Sequence, residues 1–458
     1  MTGGSSIILL AMSAPARRLG LIGLAFVMFF NVSGGAFTTE ALVAQVGPGL
    51  ALLMLLLVPI FWAIPEALIV AELASAIPEE GGYYRWVRRA FGRRWAFQNA
   101  WCTWLYSVVE MALYPVIFTS YLAYFFPDVG AFGKWGVALA IIWGSTWLNL
   151  RGAAQVGRFS TIIGVIVLSG FLVLAALAVP QIDATPWVPF TAKDGSLTGS
   201  LGVGLSIALW NYVGWDNAST VVGEIHDASR TYPRALALAL LTVTLSYFLP
   251  LLATLGATDW STWKEGGWPD IANTVGSHWS PSLGRWMARW IGVAGLVSSI
   301  AMFNSLLMAY SRIPLALAAD GLLPPALAQV DANGVPRRAV IGAALCYSLF
   351  ALLPFSGLVV ADVFLYASAV ALEMAALVQL RRVEPLLRGS FRLPVGTVGV
   401  ALLALLPMLV LVVVIALAIT DGEFGLPAIA GATAAILLGP GLFRLADRGA
   451  GSQGGTPG

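Results

Sequence analysis

The sequence predicts an all-α integral membrane protein of twelve transmembrane helices, with the first and sixth broken at mid-span. Three observations predict this. The 458-residue chain is 59% hydrophobic and only 10% charged, where a soluble domain carries roughly 25% charged residues. Apolar stretches long enough to cross a bilayer recur along the whole chain; 400–419, for example, is free of charge and can span roughly 30 Å of hydrocarbon. Two of the stretches, five spans apart, are interrupted at matching positions, the first by Val32-Ser33-Gly34-Gly35-Ala36-Phe37 and the other by Trp210-Asn211-Tyr212-Val213-Gly214-Trp215-Asp216.

In chain order the spans are expected near 19–46, 49–75, 96–126, 135–150, 157–180, 199–223, 235–257, 287–311, 338–355, 358–380, 396–419 and 424–443. The first ten carry the paired breaks, so the chain divides as five plus five with two further helices. A cytoplasmic segment, 1–18, precedes a transporter domain over 19–445, made of a first half over 19–180, a second half over 199–380 and the last two helices over 396–443. Residues 446–458 form a cytoplasmic tail, and its Gly/Ser/Pro-rich composition predicts disorder. Arg17-Arg18 leads straight into the first span, so no cleavable signal peptide is expected.

Basic residues fix the orientation. With both termini cytoplasmic, 20 of the 25 Lys and Arg residues fall inside; only Lys134, Lys193, Lys264, Arg285 and Arg289 fall outside. A miscounted span would scramble this split, so it supports both the count and a multi-pass protein of the cell membrane. The basic residues act as topology signals and as contacts for anionic lipid, not as a nucleic-acid surface.

In hydrocarbon, unravelled backbone is tolerated only where it is buried in protein or lines a cavity. Paired glycines cost a helix roughly 1 kcal/mol each against alanine. Broken spans at corresponding places in two halves point to a small-molecule site at the membrane midplane. Backbone N–H groups at Ser33, Gly34 and Gly35 suit an anion, and the carbonyls ending the inner half-helix suit an ammonium. The alternative for Gly34-Gly35 is close helix packing.

Acids inside spans are costly and mark function. Here they are Glu40, Glu66, Glu72, Glu110, Asp216 and Glu373, and no Lys or Arg lies at midspan depth to pair with them. Such acids either hold a proton or await a cation. Glu110 sits at the centre of its span, and Pro115 frees the carbonyl of Met111 beside it. Its alternatives are ammonium recognition, proton coupling, or a hydrogen bond to a neighbouring helix. Asp216 follows Trp210, Tyr212 and Trp215, whose ring faces suit an ammonium group; it either meets substrate or caps the second half-helix, and the rings either seat substrate or fill space. Glu40 is placed at an outer vestibule, as a coupling candidate, or in a peripheral ion pair. Glu66 and Glu72, six apart, cannot share a helix face, and Glu72 is expected to anchor the loop that follows it.

Cys102 and Cys346 both lie inside spans, so no disulfide-linked heavy subunit is expected. His226 and His278 are far apart, and no Cys/His spacing suits a metal. No cofactor is called for, and no nucleophile–base constellation suggests an enzyme. The short tails disfavour a signalling receptor.

Several runs resemble the amino acid–polyamine–organocation superfamily: 71–87 (AELASAIPEEGGYYRWV), Asn149-Leu150-Arg151-Gly152, Val32-Ser33-Gly34-Gly35, 110–115 (EMALYP), 215–220 (WDNAST) and 393–399 (LPVGTVG). The closest resemblance is to its polyamine uptake and L-type amino acid transporter branch. The resemblance implies a five-plus-five inverted-repeat (LeuT-like) fold and alternating access. It also implies a site between helices one, three, six, eight and ten, and proton-coupled uptake of an amino acid or polyamine, with Glu110 and Asp216 as recognition or coupling acids. Asn31 stands where that branch has an acid and Ala36 where it has proline, which removes one expected ammonium contact. Other members use a lysine in helix five, but 159–180 contains no Lys or Arg, so a proton would travel on a carboxylate. Sodium coupling through Ser298-Ser299 and exchange of neutral amino acids are the rival readings.

Overall fold

The computed structural model describes residues 18–192, 197–351, 358–420 and 425–453. Its framework is helical, and among the described residues the one β feature is a bridge between Leu19 and Ile225. The first expected span is two helices, α1 (Leu21–Val32) and α2 (Thr39–Val46). Next, α3 (Pro48–Val58) and α4 (Ile64–Ala76) join through a π-helical turn at Pro59–Ala63. Pro59 has no N–H, so the carbonyl of Leu55 is released from the ladder; it accepts the Tyr212 hydroxyl at 3.1 Å instead. A short helix, α5 (Gly82–Phe91), leads into α6 (Arg93–Phe125), α7 (Ala131–Asn149) and α8 (Ala153–Ala178).

The second half begins with α9 (Leu197–Trp210), which gives way after the break to a 3-10 segment, Asn217–Glu224. Then come α10 (Ala228–Ala257), α11 (Trp268–Trp279), α12 (Pro281–Tyr310), α13 (Arg312–Ala319) and α14 (Arg337–Phe350). The chain closes with α15 (Leu358–Val383), α16 (Thr397–Thr420) and α17 (Gly425–Gln453). Both expected breaks are therefore real, although the segment beyond the second is a 3-10 turn, not an α half-helix.

Among the described residues, eight stretches are long and apolar enough to cross a membrane: Pro48–Ala76, Arg93–Phe125, Ala153–Gln181, Ala228–Ala257, Pro281–Ala319, Asp362–Val383, Thr397–Leu417 and Ile429–Arg448. The remaining four of the twelve expected spans correspond to shorter or interrupted helices: α1 with α2, α7, α9 and α14. Residues 1–17, Lys193 and 454–458 lie outside the described residues. Helix α17 covers 446–453 of the stretch expected to be a disordered tail.

Helices α1, α6, α12 and α15 form the centre, with α8 and α10 packed on α1. At one end of the bundle an ion-paired layer ties the loops together. Asp320 receives Arg85 at 2.9 Å and Arg88 at 2.6 Å, Arg89 meets Glu384 at 2.6 Å, and fully buried Arg312 meets Glu224 at 2.7 Å. Glu72 corrects its sequence reading. It holds not the loop after α4 but the loop after α15, accepting from Arg381 Nε at 2.7 Å and from the Leu393 amide at 2.8 Å. Arg381 in turn donates to the carbonyls of Leu393 and Val395.

This pair is buried on both sides, so removing one partner strands a charge. Arg381→Met should lower stability by about 3–5 kcal/mol, read as a lowered unfolding temperature in detergent micelles. Adding Glu72→Gln to that variant should recover much of the loss, and a further loss would show that the pair does not act as a unit.

Candidate functional site

The two breaks touch each other. Thr38 Oγ1 donates to Asn211 Oδ1 at 2.9 Å. Asn31, with its amide oriented so that both ends are satisfied, donates to Val27 O at 3.3 Å and accepts from the Ala218 amide at 3.2 Å. Gly214 sits against Asn31 so closely that a Cβ there would lie 2.6 Å from the Asn31 carbonyl oxygen, and its φ of +101° belongs to the left-handed region. Only glycine meets both demands without strain.

Between the breaks lies a cavity lined by Ser33, Gly34, Thr38, Trp210, Asn211, Ser298 and Met302, among others. Its volume is about 10 Å³, room for about one water. The site is thus closed around the breaks. Ser298 Oγ donates to the Gly34 carbonyl at 2.6 Å, and the Gly35 amide donates to Ser33 Oγ at 3.0 Å. Ser299 Oγ turns back to Gly295 O of its own helix. A larger cavity of about 450 Å³ opens elsewhere, among Phe97, Trp101, Trp104, Leu317 and Arg338. No carboxylate lines it and it touches neither break.

Of the residues singled out in the sequence, Ser33, Gly34, Trp210, Ser298 and Ser299 line the small cavity, while Gly35 shapes its turn. The others stand behind it. Tyr212 packs edge-on against Tyr247, with ring centroids 5.3 Å apart. Trp215 Nε1 donates to the Tyr212 carbonyl at 2.8 Å. These two rings brace the break from within. Glu40 is fully buried, and no ion pair reaches it among the described residues. Its carboxylate accepts from Tyr121 OH at 2.8 Å and the Gly266 amide at 3.0 Å, so it anchors the loop that covers α2. Trp268 Nε1, donating to Ala36 O at 2.7 Å, seals the same end.

Glu110 accepts on both oxygens, from Tyr114 OH at 2.7 Å and from Tyr310 OH. Asn217 Nδ2 donates to the Tyr310 hydroxyl at 3.3 Å, and Tyr106 OH donates to Asn217 Oδ1 at 3.1 Å. The acid on α6 is thereby tied to the 3-10 segment after the second break. Asp216 does not cap that segment with its side chain. Its Oδ1 accepts from Tyr366 OH at 2.8 Å, and the same hydroxyl lies 2.6 Å from Glu66 Oε1 and receives the Gly214 amide at 2.8 Å. Glu373 accepts from Asn99 Nδ2 at 3.0 Å. Buried oxygens of Glu66, Asp216, Glu373 and Asp362 accept no hydrogen bond. Among the described residues, no ion pair reaches any acid of this group.

Sequence reasoning missed Asp362 and the tyrosine partners Tyr106, Tyr114, Tyr310 and Tyr366. The available signal was tyrosine itself, because a phenol placed deep in an apolar span needs a partner for its hydroxyl.

Broken helices in contact inside an apolar bundle, beside acids that no ion pair reaches among the described residues, are features of a multi-pass membrane permease. The chain belongs to the amino acid permease family, whose model matches residues 19–430. It is 36% identical over 409 residues to a probable polyamine transporter of Arabidopsis thaliana (88% of this chain, 83% of that one). It is 34% identical over 413 residues to a polyamine transporter of Oryza sativa subsp. japonica (89% and 75%). A cadaverine/lysine antiporter of Escherichia coli K12 is 25% identical over 338 residues (72% and 74%).

Gly214→Ala should force the breaks apart and destabilise by about 1–3 kcal/mol, measured as a fall in unfolding temperature in detergent. Gly144→Ala, at a helical position where a Cβ meets nothing within 4 Å, should leave that temperature unchanged or raised.

Proposed function

We propose that the chain is a secondary active transporter that imports amino acids or polyamines across the cell membrane in symport with protons. The reading uses twelve spans, two inverted five-helix repeats and both termini in the cytoplasm, with the broken first and sixth helices forming the midplane site. One observation carries it: two helix breaks in direct contact, backed by buried carboxylates that no ion pair reaches among the described residues. Such a site favours a ligand with excess positive charge, and relatives named for polyamines support the same preference.

Glu110 is the anchor for an ammonium group. Two tyrosine hydroxyls hold its oxygens in place, so the acid is positioned to receive an ammonium group when the site opens. The carbonyls and amides of Ser33, Gly34 and Gly35 meet the other end of an amino acid. Trp210 is the ring at the cavity wall. Tyr212 and Trp215 hold the sixth helix in its broken form, and Asp216 joins the coupling machinery. The cavity is too small for any of these substrates, as expected of an alternating-access carrier caught closed between its two faces.

Exchange is the second reading, supported by the antiporter among the relatives. Purified protein in liposomes distinguishes them. Putrescine, spermidine, arginine, leucine and alanine are offered under an inward proton gradient, an inward sodium gradient, or with substrate preloaded inside. Symport predicts accumulation of a cationic substrate that follows the proton gradient without internal substrate. Uptake only against preloaded substrate would establish exchange, and uptake of neutral amino acids with no competition from diamines would overturn the cation preference. Glu110→Gln should abolish both accumulation and substrate exchange, because it removes the ammonium anchor; normal uptake would make Glu110 structural.

A further inference from the structure

We infer that Glu66 on α4 and Asp216 at the second break share one proton through the Tyr366 hydroxyl, and that this shared proton latches the broken sixth helix to α4 and α15. The inference rests on the proton-coupled reading above and assigns the coupling site to a residue that reading does not use, Glu66.

The argument is a count of hydrogens. Tyr366 Oη is 2.6 Å from Glu66 Oε1 and 2.8 Å from Asp216 Oδ1, and it receives the Gly214 amide at 2.8 Å. A phenol has one hydrogen to donate and two lone pairs that accept. Gly214 N–H takes one lone pair. The hydroxyl hydrogen can go to one carboxylate only. The other carboxyl oxygen sits within hydrogen-bond distance of an oxygen with no hydrogen left to give. That contact is attractive only if this carboxyl is itself protonated and donates to the remaining lone pair. One proton between the two acids therefore makes all three contacts at the Tyr366 oxygen attractive and leaves no hydrogen over. With none, two carboxylates crowd one donor; with two, one acid proton has no acceptor on the bridge.

The surroundings agree. Glu66 and Asp216 are completely buried. The titratable groups that act on them are the acids Glu373 and Glu110, with Tyr83, Tyr106 and Tyr232. No Lys, Arg or His among the described residues forms an ion pair with either acid. A proton is thus the cation at hand to reduce the pair from two negative charges to one.

The step is a simple proton transfer. In the closed form, one carboxyl O–H, the phenol O–H and the Gly214 N–H hold three elements at a single oxygen. When the proton passes to solvent water at the face that opens, an O–H bond forms on that water while the acid O–H bond breaks and its electron pair stays on the carboxylate. Two like charges then face one donor across the junction between α4 and the second break. They repel, and the break separates from α4 and α15. Loading the proton reverses this, so closure requires it. The result is a coupling rule: the carrier closes over substrate only when the pair is protonated.

The test uses the whole protein in liposomes. Wild type must first accumulate substrate under a proton gradient; if it does not, the symport reading itself fails. Given that, Glu66→Gln, which keeps an acceptor for Tyr366 but carries no titratable proton, should lose accumulation driven by the gradient while retaining exchange of labelled for unlabelled substrate. Its exchange should also lose the pH dependence seen in wild type. Tyr366→Phe, which removes the bridge, should displace that pH dependence instead. Glu66→Gln accumulating substrate like wild type would overturn the inference and leave the transporter reading intact. A measurement on unaltered protein keeps the proposal falsifiable if the variants do not fold. Substrate added to detergent-solubilised wild type in weakly buffered dye solution should change the number of bound protons, and no change would overturn the shared proton.

Discussion

An acid buried where no base can reach it has to be satisfied by hydroxyls, by a proton, or by a cation that arrives from outside. Leaving it otherwise costs several kcal/mol or more. That constraint organises the middle of this molecule. Glu110, Glu66, Asp216 and Glu373 lie on four different elements, and the groups that satisfy them are phenols and amides from α6, α12 and α15. The rings of Tyr310, Tyr106 and Tyr366 then stack edge to face in series, with centroids 5.6 and 5.2 Å apart. Helix packing and acid satisfaction are therefore one problem with one solution. The rings fill the space between helices, and their hydroxyls carry the hydrogen bonds.

The breaks exist because the same solution needs backbone groups. Gly214 contributes an amide to Tyr366 and comes against the Asn31 carbonyl, neither of which a continuous α-helix would permit. Asn211 ends its helix with a carbonyl that accepts Tyr247 OH at 2.7 Å. Glycine removes the steric obstacle, and the freed polar groups then find phenols and hydroxyls. The π-helical turn at Pro59 follows the same logic, since the carbonyl that proline frees is the one Tyr212 takes. At the breaks the carbonyls of Gly34 and Asn211 and the amides of Gly35 and Gly214 all find side-chain partners, which helps irregular backbone survive in hydrocarbon.

Much of this was legible in the sequence. Val32–Phe37 and Trp210–Asp216 stood out because glycine-rich polar runs are conspicuous in apolar spans, and both are breaks. Acids are equally conspicuous, so Glu110 and Asp216 were found. Their partners were not, because a tyrosine among leucines and alanines reads as packing until a carboxylate is placed beside it, and sequence distance hides that placement: Tyr366 and Glu66 are 300 residues apart. Glu66 was given no role in the sequence for the same reason. Glu40, read from its place in the outer half-helix as a vestibule or coupling residue or a peripheral ion pair, is instead buried under the loop around Gly266. Trp215 and Tyr212, beside Asp216, were read either as a seat for substrate or as rings that fill space. The turn of the break sets them against Tyr247 and their own backbone.

Helix α4 shows why one kind of acid suits coupling and another does not. It carries Glu72 and Glu66, six residues apart and on different faces. Glu72 is matched by Arg381 and held further by the Leu393 amide. An arginine does not lose its proton at any pH a cell meets, so that pair carries the same charge throughout any cycle and serves as a fixed joint. Glu66 faces Asp216 and a phenol, and the charge of that pair changes by one with every proton gained or lost. Under the coupling rule proposed above, a helix with one end pinned by a permanent cation and the other governed by a removable proton moves about its pinned end. In that proposal the charge that changes sits where the broken helix meets α4 and α15, where a small electrostatic change becomes a change in which face of the protein is open.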